Sequence, residues 1–220
     1  MKQLVMKDIR LLRYLNLIIL VAGVFFGYVG VDINHIYKSK FIYGFAMFIM
    51  VYMVSTFSTQ YDVKGKSDMM LNSFPVDRYD IVKSKYISMA LYILFITGIV
   101  FVSSNISNII SKSVSDGNPA TIWDVLFIGG LSLIFFSIYL PFHYYNVGKA
   151  QAFNQIFYIL LILLPNIISR FGNKIEATKI FQNVINMDFK IIILMFAGVG
   201  VIMYLVSLQI SKSIYKKKEF

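Results

Sequence analysis

The sequence predicts an all-α, polytopic membrane protein. It should have six transmembrane helices, an N-terminal amphipathic helix, and a short cytoplasmic helix between the second and third spans. Three observations lead there. Of the 220 residues, 58% are hydrophobic and only 15% are charged, where a soluble domain carries roughly a quarter charged residues. Mean hydropathy is +0.69, so too little polar surface remains to cover a water-soluble globule. The apolar residues fall in six long runs, with Lys and Arg gathered between the runs and at the termini.

The runs are residues 15–31, 41–59, 86–110, 122–142, 152–169 and 191–210. Each is near the ~20 residues that cross the hydrocarbon core at 1.5 Å per residue. They leave no segment long enough for a soluble domain, so residues 1–220 read as one membrane domain. The fifth run carries Pro165 and the fourth Pro141, which should bend or end their helices. With six spans both termini share a side, and fourteen Lys and Arg fall there against seven opposite. The richer side should be cytoplasmic.

Ahead of the first span, Leu4, Val5, Ile9, Leu11, Leu12 and Leu15 fall in one half of a helical wheel. Lys2, Lys7, Arg10 and Arg13 fall in the other, and Met6 and Asp8 break the pattern. Such a helix lies along the inner leaflet with its basic face toward lipid phosphates. The basic stretch is too long for a signal peptide and no small-residue cleavage site follows, so the first run reads as a retained span.

Residues 60–85 form the most informative segment. Ser67 is placed to cap a short helix, with Asp68 in its first turn. Pro75 should end that helix by driving Phe74 out of the helical region. Asp77 can then cap the helix that runs into the third span, with Asp80 in a capping-box position. Met69, Met70, Leu71 and Phe74 give the short helix an apolar ridge that a plain loop would not need.

Several functions are excluded. With no cysteine there is no disulfide, thiolate metal site or cysteine nucleophile. Gly65-Lys66-Ser67 lacks the upstream glycine of a P-loop, where Gln60 stands instead, so the chain itself should hold no ATP and hydrolyse none. There is no G-x-S-x-G nucleophile elbow. His35 and His143 fall on opposite predicted sides and read as loop residues rather than metal ligands. The net charge of +10 is scattered over short segments, which does not make a nucleic-acid surface. Asp, Glu, Lys and Arg avoid the middles of all six runs, unlike the usual ion-coupled carrier.

The polar residues inside the runs are amides and hydroxyls. Gln151, Asn154 and Gln155 share one helix face at the start of the fifth run. They read either as an interhelical hydrogen-bond cluster or as the wall of a substrate path. Ser103, Ser104, Asn105, Ser107 and Asn108 should meet headgroups at the far end of the third run, while Trp123 and the Tyr residues at span ends should anchor in the interfaces. Gly23 and Gly27 form a G-x-x-x-G for close packing, within the chain or across a dimer.

The run Met70-Leu71-Asn72-Ser73-Phe74-Pro75-Val76-Asp77-Arg78, followed by Ile81-Val82-Lys83-Ser84-Lys85-Tyr86, resembles a pattern in small bacterial ABC exporter permeases of type 2. The opening Lys7-Asp8-Ile9-Arg10-Leu11-Leu12 is similar to the start of that family, and the layout of spans is similar along the whole chain. Within the family the likeness is strongest to permeases of staphylococcal phenol-soluble-modulin exporters. The resemblance implies that residues 67–74 are a coupling helix, with Ser67 to Leu71, Phe74, Pro75, Asp77 and Arg78 contributing to ATPase docking. It also implies two ATPase subunits that hold ATP and Mg, a second permease chain, and an amphipathic or antimicrobial peptide as cargo. The rival expectation is a non-transporting membrane scaffold or immunity protein.

Overall fold

The computed structural model describes residues 2–33, 36–65, 77–111, 117–176 and 189–217, and these form seven helices. They are α1 (Lys2–Leu11), α2 (Arg13–Val31), α3 (Ile36–Lys64), α4 (Arg78–Ser111), α5 (Ile122–Tyr145), α6 (Val147–Glu176) and α7 (Phe189–Lys216). Helices α2, α3, α4, α5 and α7 are long and apolar enough to cross a bilayer. They carry the first, second, third, fourth and sixth expected runs. The fifth run, 152–169, lies on α6, whose 30 residues would span about 45 Å. The side chains of residues 161, 162 and 164–176 lie outside the described set, as do Ser67, Asp68, Met69, Met70, Leu71, Phe74 and Pro75 and the expected coupling helix with them.

The helix boundaries follow from local chemistry. Between α1 and α2 the chain turns at Leu12 (φ −96°, ψ 17°), and the Asn16 side chain donates to the Ile9 carbonyl at 3.2 Å. That bond takes up a carbonyl left over at the end of α1. Asp77 caps α4 by accepting from the backbone N–H of Tyr79 at 3.0 Å. At the start of α5 the Asp124 carboxylate reaches back to the Thr121 backbone N–H at 2.8 Å. Asn146 serves two helices: its N–H donates to Phe142 at the end of α5, and its side chain accepts from the Gly148 N–H at 2.8 Å to open α6.

Neither proline ends its helix, contrary to one of the expected outcomes. Pro141 lies inside α5, which runs on to Tyr145. Proline has no N–H, so the carbonyl of Ser137, four residues back, loses its helical partner. Ser207 of α7 supplies a replacement by donating its hydroxyl to that carbonyl at 2.6 Å. Ser207 Oγ also lies 2.7 Å from the Tyr86 hydroxyl, which lies 2.7 Å from Ser211 Oγ. Because Ser207 spends its proton on Ser137, the chain of donors runs from Ser211 through Tyr86 and Ser207 to the Ser137 carbonyl.

The largest helix interface joins α5 and α7. Gly130 and Gly200 meet there so closely that a Cβ on Gly200 would lie 2.9 Å from the Gly130 carbonyl oxygen. Helix α2 packs chiefly on α4. Gly23 and Gly27 face Ile99, Ser103 and Ser104 of α4, so the G-x-x-x-G packs within the chain. Ser103 and Ser104 are therefore buried instead of meeting headgroups: Ser103 donates to the Gly23 carbonyl, and Ser104 accepts from the Ala120 N–H. Many tyrosines expected at the interfaces are likewise buried, among them Tyr86, Tyr139, Tyr144 and Tyr215. An aromatic cluster of Phe48, Tyr52, Phe135, Phe153 and Phe157 joins α3, α5 and α6.

Candidate functional site

The expected loop 60–85 begins in the last turns of α3 and ends in the second turn of α4, and a buried ionic cluster sits where those helices approach each other. Lys85 of α4 meets Asp62 of α3 with Nζ and Oδ2 2.5 Å apart, and donates to Ser58 Oγ at 2.6 Å. Asp8 of α1 lies 4.0 Å from the same ammonium and accepts from the Ser88 hydroxyl at 3.2 Å. His143 of α5 completes the ring, with Nε2 4.0 Å from the Asp62 carboxylate. The side chains of Lys85, Asp8 and His143 are less than 10% exposed. Lys7, about one third exposed, adds a contact to Asp8 at 3.3 Å.

Four helices thus contribute to one buried polar cluster, in which α1, α3 and α4 carry the Asp and Lys charges. Among the described residues its two carboxylates share a single buried lysine, with Lys7 and His143 beside them. Charges withdrawn from water persist only when paired and hydrogen-bonded. Pulling α1, α3 or α4 away would strand one of them. The three helix ends are therefore held as a unit around the loop.

This arrangement corrects one expectation. His143 is a buried helix residue on the core face of α5, stacked near Tyr139, not a loop residue. His35 lies outside the described residues. Lys85 and Asp62, both within residues 60–85, are buried against each other. The one signal in the sequence was Asp8. It breaks the basic-and-apolar wheel of α1 because it lies on the face that packs against α4, not the face toward water.

The start of α4 also touches the end of α7. Arg78 donates to the Lys216 carbonyl at 3.4 Å, and the Lys212 ammonium sits 3.5 Å from the centre of the Tyr79 ring. Asp77 and Arg78, both expected at the docking site, therefore have structural work at this junction: one caps α4 and the other ties it to α7.

A second feature lies beside the cluster. Gln151, Asn154 and Gln155 of α6 come together with Tyr52, Thr56, Thr59 and Gln60 of α3 around a groove of about 510 Å³ that Tyr158 and Ile159 also line. Asn154 is buried at its floor, while Gln151 and Gln155 stand at its exposed rim. Tyr52 donates its hydroxyl to the Asn154 backbone carbonyl at 2.8 Å and so pins α6 to α3. Thr59 is bonded to Tyr139 of α5. Among the described residues no group of three or more His, Cys, Asp or Glu is arranged to hold a metal ion.

No curated protein matches the chain. A family model described as ABC-2 family transporter protein matches residues 3–216, from the second residue of α1 to the last of α7. With the elbow, the spanning helices and both polar regions inside that match, the chain belongs to the ABC-2 family of transporter proteins.

Proposed function

We propose that this chain is the permease subunit of an ATP-driven exporter that moves amphipathic peptides, of the phenol-soluble-modulin or cationic antimicrobial kind, out of the cell. Family membership makes it the multi-pass membrane subunit of an ABC transporter. In the proposal it crosses the bacterial plasma membrane six times, α6 included, with both termini in the cytoplasm. A second permease chain, the same or a similar one, completes the path. Two ATPase subunits beneath bind ATP and Mg and dock on residues 67–74.

The observation that carries the coupling mechanism is the Asp8–Lys85–Asp62–His143 cluster. An ATPase that closes beneath the membrane must turn a push on a short helix into movement of whole spans. A loop on flexible stems would absorb that push. Here both stems are locked together by a buried ion pair, and α1 is tied to them through Asp8. Displacement at residues 67–74 would therefore travel into α1, α3 and α4 as one body, because letting go strands a buried charge.

The test is affinity purification of the chain from its host membrane in mild detergent, with mass spectrometry of what accompanies it. Recovery of an ATPase subunit is expected. Leu71→Asp and Phe74→Asp should each lose that subunit while leaving the membrane fold and expression intact, because a charge on the apolar ridge opposes docking. An ATPase retained by both variants would refute docking at this ridge. No ATPase in any detergent would favour a non-transporting scaffold or immunity protein.

A further inference from the structure

We propose that the groove between α3 and α6 binds uncharged, hydrogen-bonding peptide segments, with Asn154 as its recognition residue. This deepens the exporter reading and rests on it. Of the nine residues around the groove, none is Asp, Glu, Lys, Arg or His. Three are glutamines, one is asparagine and two are threonines, and the walls are Tyr52, Tyr158 and Ile159.

Several of these polar groups are already spent inside the fold. Tyr52 donates to the Asn154 carbonyl, Thr56 donates to the Tyr52 carbonyl at 3.0 Å, and Thr59 donates to the Ser55 carbonyl at 2.8 Å. The amides remain. Gln60, Gln151 and Gln155 make no side-chain hydrogen bond among the described residues, and all three are exposed. Asn154 is 5% exposed, and its Oδ1 has no hydrogen-bond partner among the described residues. A buried carbonyl oxygen without a donor is costly, and in a site this close to the surface it awaits one from a ligand.

The rim points to the rest of the ligand. Tyr158 and Ile159 lie exposed on α6 and line the groove beside the amides, so its polar groups have an apolar margin next to them. Bare hydrocarbon is a poor neighbour for four amides. Pure water is a poor neighbour for the apolar margin. A peptide segment with N–H donors on one side and aliphatic side chains on the other satisfies both. A volume of about 510 Å³ lies within the range of ligand pockets. With no counter-charge on its walls, the groove should take neutral segments and leave cationic side chains outside.

The probe is a fluorescein-labelled, N-acetylated, C-amidated helical peptide of Leu and Gln, with a second peptide in which Lys replaces Gln. Binding is read by fluorescence anisotropy with the full chain in phosphatidylcholine nanodiscs, after subtraction of binding to empty discs. The neutral peptide should bind more tightly than the Lys peptide. Asn154→Leu should weaken neutral-peptide binding about tenfold, and Gln155→Leu by several-fold. Asn154→Asp keeps the shape and adds a charge, and should reverse the preference toward the Lys peptide. Since Gln155 is exposed, its variant carries the test if a change at Asn154 impairs folding.

Unchanged affinity in Asn154→Leu and Gln155→Leu overturns the proposal. So does native mass spectrometry that finds a lipid held by the wild type and lost from Asn154→Leu while peptide affinity stays constant, since the groove would then be a lipid site. An ATPase recovered with the chain alongside unchanged peptide affinity sinks this inference alone. Failure to recover any ATPase sinks the exporter reading.

Discussion

The two ends of the helix bundle each carry a lysine–aspartate pair between neighbouring helices, and the pairs differ in burial. Lys85 and Asp62, beside the loop, have side chains 8% and 14% exposed. Lys40 and Asp124, at the opposite end, meet at 3.0 Å with side chains 41% and 15% exposed. Asp124 has a second occupation in capping α5 through the Thr121 N–H. Lys85 is shared with Ser58 and Asp8, and the cluster draws in His143. The outer pair can part and let its lysine return to water. The inner pair cannot part without leaving charge in the protein interior. Only the end beside the loop can therefore hold three helices rigidly against one another, and in the proposed function it is the end where force from an ATPase would arrive.

The comparison is broken most directly at Lys85. Lys85→Met leaves Asp8 and Asp62 buried without their shared cation and should cost about 3–5 kcal/mol. The readout is a fall in the midpoint of thermal unfolding in detergent, together with loss of peptide-stimulated ATPase activity in the assembled transporter. Adding Asp62→Leu and Asp8→Leu to Lys85→Met should restore most of the stability, because a well-packed apolar substitute for a buried ion pair is often neutral or stabilising. Activity should stay low in that triple variant. If activity returns along with stability, the cluster only holds the fold together and does not transmit force.

Five of the six expected spans were legible in the sequence because each is a single long apolar run whose length is set by the bilayer. The elbow was legible from the wheel of Leu4, Val5 and Ile9 against Lys2 and Arg10, and α4 began where Asp77 could cap it. The ionic cluster was not legible, because Asp8, Asp62, Lys85 and His143 come from four separated segments. Each of them, read alone, is a charge near the end of a span. Only Asp8, on the wrong half of its wheel, marked a buried partner. Similarly Gln151, Asn154 and Gln155 announced a shared face, but the wall of Tyr52, Thr56 and Gln60 opposite them depended on how α3 and α6 pack.

A neutral contact at the loop end separates the effect of position from that of charge. Ser207 supplies the hydroxyl that satisfies the Ser137 carbonyl freed by Pro141, and it is 3% exposed. Ser207→Ala should leave that carbonyl unsatisfied and interrupt the Tyr86 chain, at a cost of about 1–3 kcal/mol. The loss should appear in thermal unfolding, and ATPase stimulation should persist in the fraction that remains folded. Pro141→Ala restores the helical N–H, so the Ser207→Ala change should cost less in that background. If the two costs simply add, the hydroxyl is not standing in for the missing helical bond.

The smallest effect is expected at Lys40, where the comparison is sharpened. Lys40→Ala removes a cation that is 41% exposed and can hydrate freely in the unfolded chain. Pairs of this kind contribute about 0–1 kcal/mol. Asp124 keeps its bonds to the Thr121 backbone and hydroxyl, so the start of α5 should remain capped. Thermal unfolding should shift little, and the shift should shrink further as salt is raised, since screening weakens exposed pairs. The loss caused by Lys85→Met should be nearly insensitive to salt, because ions from solution do not reach a buried carboxylate. Equal salt responses at the two sites would mean that water reaches the inner cluster, and that its helices are not locked as its burial implies.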